Sequence, residues 1–340
     1  MKAPLLKVDD RGLWCEVGGF YIDPWKSVSR AIITHAHSDH AKPGSSQYLC
    51  TTRGKGVLQC RLGASAKIES LPYGESLSIG GVKVSFHPAG HILGSAQVRV
   101  EYKGEVWVVT GDYKREPDRT CDPFEIIKCH TLITESTFGM PIFRWPLAHE
   151  VAEDIKTWWN QNAQQNLHSI LLGYSLGKSQ RLLSYLESGP APIYLHPSVI
   201  PLTKAYEKEG IEFPKYAPIP KNPLPGSLVI APPAFLQSTD FHPFANSTLA
   251  YASGWMAVKN LRKRQPADRS FIVSDHCDWP SLLLTIKECD AEQILVTHGY
   301  TATFVKYLRS IGYSADELHT AYLGETNPIS SETAKLEFNL

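Results

Sequence analysis

Four side chains able to grip a metal ion fall within six residues of one another: His35, His37, Asp39 and His40, in the run Thr34-His-Ala-His-Ser-Asp-His40. The apolar stretch Ala31-Ile-Ile33 stands directly before them and reads as a strand. His35 and His37 lie two apart, so on an extended segment they share one face and can hold one cation. Asp39 and His40 then reach a neighbouring cation. Three imidazoles and a carboxylate this close together, without a cation, would have to be desolvated and unpaired at once. The run therefore predicts a site for two metal ions.

Other metal-type residues stand at strand ends, where a scaffold can hold them still. His91 lies in the glycine-flanked loop Pro88-Ala-Gly-His-Ile-Leu-Gly94, and Asp112 follows a strand in Thr110-Gly-Asp112. Each alone is weak, because an Asp after Gly is commonly a turn residue. The elements that must position them are strands in the first third of the chain. Trp14-Cys-Glu-Val17 and Phe20-Tyr-Ile-Asp23 flank Gly18-Gly19, a hairpin signal. Further strands are expected at 82–87, 97–102, 106–110 and 131–134.

From about residue 147 the period changes. Val151, Ile155, Trp158 and Trp159 recur at helical spacing, and the two tryptophans are expected in a core. A strand at 169–172, a helix through 180–183 and a strand at 193–195 follow, the alternation of a parallel sheet with helices on its faces. Residues 212–246 are proline-rich and read as loops around the buried strand Leu228-Val-Ile-Ala231, with one more strand at 248–252. Arg262, Lys263, Arg264 and Arg269 mark an exposed basic connector, after which the strand and helix order resumes through 271–273, 282–284, 294–296 and 304–308.

Composition sets wide bounds. With 340 residues and 43% hydrophobic content, the chain is long enough for one large domain or two modest ones. The 34 basic and 34 acidic residues cancel, so a nucleic-acid substrate would need a local basic patch or the metals themselves. Seven scattered cysteines without a Cys-x-x-Cys pair fit reduced thiols. No stretch is apolar enough for a membrane span, and the N-terminus lacks the apolar core of a secretory signal, so a cytoplasmic location is expected.

Taken in order, Asp23, His35, His37, Asp39, His40, His91 and Asp112 resemble the metallo-β-lactamase superfamily, whose fold is an αββα sandwich with metals at one edge. The resemblance implies one ion held by His35, His37, His91 and Asp112, and a second by Asp39, His40, Asp112 and a later histidine. Asp112 would bridge the two. Asp23 would stand behind the ligands and orient the His run.

Later segments resemble the β-CASP branch, whose members cleave nucleic acids and carry a second domain inserted into the hydrolase fold. Ile133-Thr-Glu-Ser-Thr-Phe-Gly139 is similar to its first motif, Gly173-Tyr-Ser-Leu-Gly-Lys-Ser-Gln-Arg181 to a cap segment, Ser274-Asp-His-Cys-Asp-Trp-Pro280 to the second motif and Val296-Thr-His-Gly-Tyr300 to the third. His298 would complete the second metal. The implied fold is α/β, an αββα sandwich with an inserted α/β cap: 1–145 and 261–340 form the hydrolase domain and 146–260 the cap. Asp39, Glu135 and His276 are the expected catalytic residues, and Lys114, Lys178 and Arg181 expected contacts to substrate phosphate. Asp275 reads as structural.

In that chemistry two divalent cations roughly 3.5–4 Å apart acidify a shared water for in-line attack at phosphorus. Zinc suits the His-rich position, and manganese is tolerated by a carboxylate-containing pair. Glu135 would orient His276, which would stabilise the transition state or protonate the departing oxygen. The nearest resemblance, through Tyr21-Ile-Asp-Pro-Trp25, His35 to His40, Thr137-Phe-Gly-Met-Pro141 and the Asp-His-Cys-Asp-Trp-Pro run, is to bacterial ligase-associated DNA exonucleases, relatives of Artemis and Apollo. It implies a DNA exonuclease of repair, acting on single-stranded or end-containing DNA, in functional association with an ATP-dependent DNA ligase. His298 favours the alternative of an RNA-processing β-CASP ribonuclease, since DNA-acting eukaryotic members usually have valine at the third motif. The lack of an appended RNA-binding region after residue 340 weighs against it. A small-molecule thioester or lactone hydrolase would need neither the cap nor Glu135 and His276.

Overall fold

Strands with one apolar face must bury it, and the first part of this chain does so by facing two sheets together. In the computed structural model, which describes residues 4–322 apart from 187–188 and 265–266, the first sheet runs Lys7–Val8, Leu13–Cys15, Phe20–Ile22, Arg30–Ile32, Gln47–Thr51 and Ile68–Leu71 in spatial order. The second runs Ala315–Glu317, Gln293–Gly299, Thr131–Ser136, Glu105–Val109, Ala96–Tyr102, Val82–Pro88 and Ser76–Ile79. Leu13, Ile22, Ile32 and Leu49 of the first meet Val84, Phe86, Val98, Val100, Trp107, Val109 and Ile133 of the second in one core. The hairpin at Gly18-Gly19 forms as the sequence implies, pairing Leu13 with Ile22 and Cys15 with Phe20.

The other face of the second sheet is covered by helices Trp279–Cys289 and Thr301–Ser310. Val106, Val108, Leu132, Ile294 and Val296 pack there against Leu282, Ile286, Phe304 and Leu308. Strands buried on both faces read as continuous apolar runs, as Val106-Trp-Val-Val109 does. Each fully buried Leu or Ile contributes roughly 1.5–3 kcal/mol relative to leaving it exposed. Helix Trp279–Cys289 starts cleanly because the Asp278 carboxylate accepts the Ser281 N–H at 3.0 Å and Pro280 suits its first turn. Its partner strands thus sit between a sheet and a helix layer, an α/β arrangement.

This first unit comprises Met1–Phe143 and His276–Glu325, and Arg144–Asp275 form a second. The second unit is a parallel sheet in the order Tyr216–Pro218, Ile193–Leu195, Leu228–Ala231, His168–Leu172, Ser247–Ala252 and Arg269–Phe271. Helix Ala148–Gln164 packs Val151, Ile155, Trp158 and Trp159 into its core, with the Trp159 indole donating to the Gly226 carbonyl at 2.9 Å. The boundary expected at 260–261 lies elsewhere. Arg269–Phe271 pairs in parallel with Ser247–Ala252, so residues 261–275 stay with the second sheet. The expected connector begins in a short helix, Lys259–Arg264, with Leu261 buried and Arg262 donating to the Met256 carbonyl. The Arg264 side chain, residues 265–266 and the end of the 261–340 segment lie outside the described residues. Among the described residues no helix is long and apolar enough to cross a membrane.

Candidate metal centre

The His run leaves strand Arg30–Ile32 beside the end of Phe20–Ile22, and Asp23 joins the two. One Asp23 carboxylate oxygen accepts the Thr34 backbone N–H at 2.7 Å, and the other accepts the Thr34 hydroxyl and lies 2.7 Å from His40 Nδ1. Asp23 itself has φ 43°, a left-handed conformation that turns its carboxylate back on the run. His91 is held by Ser95, whose hydroxyl accepts the N–H groups of His91 and Ile92 at 3.0 and 3.2 Å. Asp112 approaches the run because Gly111 precedes it, at φ 56°; a Cβ there would lie 2.7 Å from the Thr34 side chain.

His298 comes from the far side of the second sheet. Its strand Gln293–Gly299 pairs in parallel with Thr131–Ser136, and the register shifts between Glu135 and Ser136 so that Ser136 stands opposite Gly299. His298 has φ 27° and Gly299 φ 86°, and a Cβ on Gly299 would lie 2.2 Å from the Ser136 carbonyl oxygen. Only glycine can sit there, and the resulting turn brings His298 to Asp112.

The donor atoms form two groups that share Asp112: His35, His37, His91 and Asp112, and His40, Asp112 and His298, each with its donor atoms within 4.8 Å of one another. Asp112 Oδ2 stands 3.4 Å from His35 Nε2, 3.8 Å from His91 Nε2 and 3.5 Å from His40 Nε2, while Oδ1 stands 2.8 Å from His298 Nε2. His37 Nδ1 and His91 Nε2 are 3.0 Å apart. Asp39 lies at the edge, its Oδ2 3.6 Å from His40 Nε2.

Burial drives His35 well below the usual imidazole value, and the charge of His40 adds to this. Burial would also raise the Asp112 carboxyl, but His40, His276 and His298 outweigh it and hold it well below the usual carboxylate value. For His40 burial acts downward, yet Asp112, Asp39 and Asp23 prevail and hold the imidazole well above its usual value. His35 Nε2 and His40 Nε2 are buried and have no hydrogen-bond partner. A buried unsatisfied polar atom costs about 1–3 kcal/mol. Here both orphans face the shared carboxylate, so imidazole nitrogen and carboxylate oxygen converge as a divalent cation requires. The residues fit the metals that the sequence implies.

Beside these groups stands a dyad. Glu135 accepts the Tyr113 backbone N–H at 2.8 Å and His276 Nδ1 at 2.9 Å, and Asp112, Glu135 and His276 form a third set of donors within 4.8 Å. The Cys277 N–H donates to the Tyr113 carbonyl at 2.8 Å, which ties the His276 segment to the Asp112 loop. The Cys277 thiol is pushed far up by burial and stays protonated, so it offers no nucleophile.

No protein-family model matches the chain. It is 33% identical over 307 residues to a probable DNA ligase of Opitutus terrae, covering 89% of this chain and 30% of that protein. It is 29% identical over 215 residues to an RNase J-like protein of Methanocaldococcus jannaschii, covering 53% of this chain and 50% of that one. With cleavage and polyadenylation specificity factor subunit 3 of Dictyostelium discoideum it shares 32% identity over 123 residues, 36% of this chain and 16% of that one. The chain spans half or less of the length of each of the three. A solved structure, a protein of unknown function from Enterococcus faecalis V583, shares the fold with a TM-score of 0.59 at 13% identity, covering 86% of this chain and 79% of that one.

Three residues expected to touch phosphate in a β-CASP protein have other partners. Lys178 and Arg181 are buried in the second unit, where Lys178 Nζ lies 3.0 Å and Arg181 Nε 2.8 Å from Asp275 carboxylate oxygens; Lys178 also donates to the Val273 carbonyl. This corrects the expectation for both. Two buried cations converging on one carboxylate are a structural cluster, which matches the structural reading of Asp275. Lys114 is 5% exposed and paired with Glu116 at 3.0 Å, so it too is not an open phosphate contact. Tyr322, which stacks on His40 with ring centroids 4.8 Å apart, has no sequence signal: it is one of several aromatic residues beyond the last motif.

Proposed function

We propose that this chain is a two-metal phosphodiesterase, a DNA exonuclease that works alongside a DNA ligase. The observation that carries the reaction is Asp112, one carboxylate common to two groups of imidazoles, with the Glu135–His276 dyad against it. His35, His37, His91 and Asp112 would hold one cation, and Asp39, His40, Asp112 and His298 the other. Such a pair, when bound, supplies an acidified water and neutralises charge on the phosphoryl oxygens.

The chain's own residues supply the remainder. A carboxylate only accepts, so Glu135 fixes His276 with a proton on Nδ1 and leaves Nε2 for the substrate. As imidazolium, His276 stabilises negative charge at phosphorus or gives its Nε2 proton to the departing oxygen. Asp23 holds His40 through Nδ1 so that Nε2 faces Asp112. The unit formed by Arg144–Asp275 is read as the inserted β-CASP domain.

DNA is favoured because the relative matched over 89% of this chain is named a probable DNA ligase, of which the match makes up 30%. RNA is the second reading, favoured by His298 and by the RNase J-like and polyadenylation-factor relatives. End-labelled single-stranded DNA and RNA of matched sequence, digested with zinc or manganese and with Asp112→Asn as the blank, separate the two. Stepwise shortening of DNA with RNA spared is the expected result; preferential RNA cleavage overturns it.

A further inference from the structure

Tyr322 lies far from the His run in sequence and next to it in space. The chain reaches it along the edge of the second sheet. Strand Ala315–Glu317 pairs with Gln293–Gly299, Leu318 N–H donates to the Val296 carbonyl at 2.8 Å, and the hydroxyls of Thr320 and Thr297 are 2.6 Å apart. The tail then crosses to the first sheet. Tyr322 donates its hydroxyl to the Ile22 carbonyl at 3.3 Å and meets the Trp25 ring edge-on at 5.7 Å.

Its ring lies flat on His40, with an interplanar angle of 9° and centroids 4.8 Å apart, and edge-on to His298 at 5.7 Å. His40 is thereby held on three sides: Asp23 takes Nδ1, Asp112 and Asp39 face Nε2, and Tyr322 covers a face. A hydrogen bond through Nδ1 leaves the ring free to swing about that bond, and a stacked ring removes this freedom. No such aromatic contact exists between Tyr322 and His35, His37 or His91 among the ring pairs of the described residues.

We infer that Tyr322 is a positioning residue that clamps His40 and so sets the affinity of the second cation group, His40, Asp112 and His298, without serving the first. This rests on the reading of the two groups as metal sites. The aromatic face does the work, and the hydroxyl is secondary.

The test is metal binding by the full chain, not activity. Purified wild type, Tyr322→Phe, Tyr322→Leu and Tyr322→Ala are stripped with chelator and titrated with Co(II), following visible absorption and the bound-metal ratio. Wild type should take up two equivalents. Leu and Ala should keep the first with unchanged affinity and weaken the second by about 10–100-fold, the usual loss when a supporting contact behind a ligand is removed. Phe should behave as wild type, since the stack is intact; the Leu variant retains bulk at the tail if Ala disturbs folding. Two unchanged equivalents in Leu and Ala overturn the inference, as does a Phe variant that loses as much as Ala. Should wild type take up no cobalt, the metal-site reading itself fails and the inference falls with it.

Discussion

Asp23 Oδ2 lies 2.7 Å from His40 Nδ1, and the opposite nitrogen of the same ring faces Asp112 at 3.5 Å. The imidazole is strung between two buried carboxylates that come from different sheets' strand ends. One orients it and the other shares its prospective ligand field, the carboxylate–histidine–metal geometry that raises ligand basicity. Asp23→Ala should weaken metal binding about 10–100-fold. Asp23→Asn, which can still accept from His40, should weaken it less. Isothermal titration with zinc ranks the three, and equal affinities would dismiss the support role.

Asp112→Asn reaches further, because both groups use that residue. The variant should hold less than one equivalent of metal after dialysis and lose nuclease activity. A fully metallated Asp112→Asn protein would contradict the shared-ligand assignment.

His276→Ala should separate chemistry from metal content. The ring bonds to Glu135 and lies outside both cation groups, so metal content should stay at the wild-type level. Turnover should fall by about 10²–10⁴-fold, the usual contribution of a positioned acid or base. Glu135→Gln should fall less, having lost the charge behind the ring but not the ring. Atomic absorption alongside initial rates decides this.

Metal affinity should rise with pH. Burial opposes the charge on His40, but Asp112, Asp39 and Asp23 hold its folded value above the usual one, so the metal-free protein keeps a proton there to higher pH than a free imidazole would. Binding must expel that proton. Affinity should therefore climb as pH rises toward the raised His40 value and level off above it. In the metal-free protein the sign is opposite: the stability His40 contributes is complete below the unfolded value and is lost as pH rises through the folded one. Chelator-treated protein should accordingly melt lower at alkaline pH, and zinc should remove that trend.

Lys178→Ala tests the structural cluster in the second unit. Removing one of these cations breaks a buried ion pair with Asp275, which costs about 3–5 kcal/mol. Urea unfolding should show this loss. A variant of wild-type stability with a raised KM would restore Lys178 to the role of phosphate contact.

Local signals explain what is legible in the sequence. The His run, the Gly18-Gly19 hairpin and the apolar strands 131–134, 169–172 and 228–231 announce themselves within a few residues. Strands Ile68–Leu71 and Ser76–Ile79 do not, because each is only four residues long with a single buried side chain. Basic residues in the segment 173–181 suggest phosphate contacts, yet their partner Asp275 lies far along the chain and nothing near Lys178 announces it. The 260–261 boundary fails for the same reason: a parallel pairing such as that of Ala252 with Phe271 leaves no signature in local spacing. Tyr322 has the least signal of all, since a stack on His40 is purely a matter of tertiary placement.

The bond between Asp112 and His298 joins residues 186 positions apart, with the whole second unit made in between. A ribosome-bound chain that has emerged only through residue 275 carries the His run, His91 and Asp112 but neither His276 nor His298. The proposed cutting site is therefore incomplete until residue 298 has been made. Any product that stops between residues 112 and 276 has the first group of ligands without the rest of the proposed site.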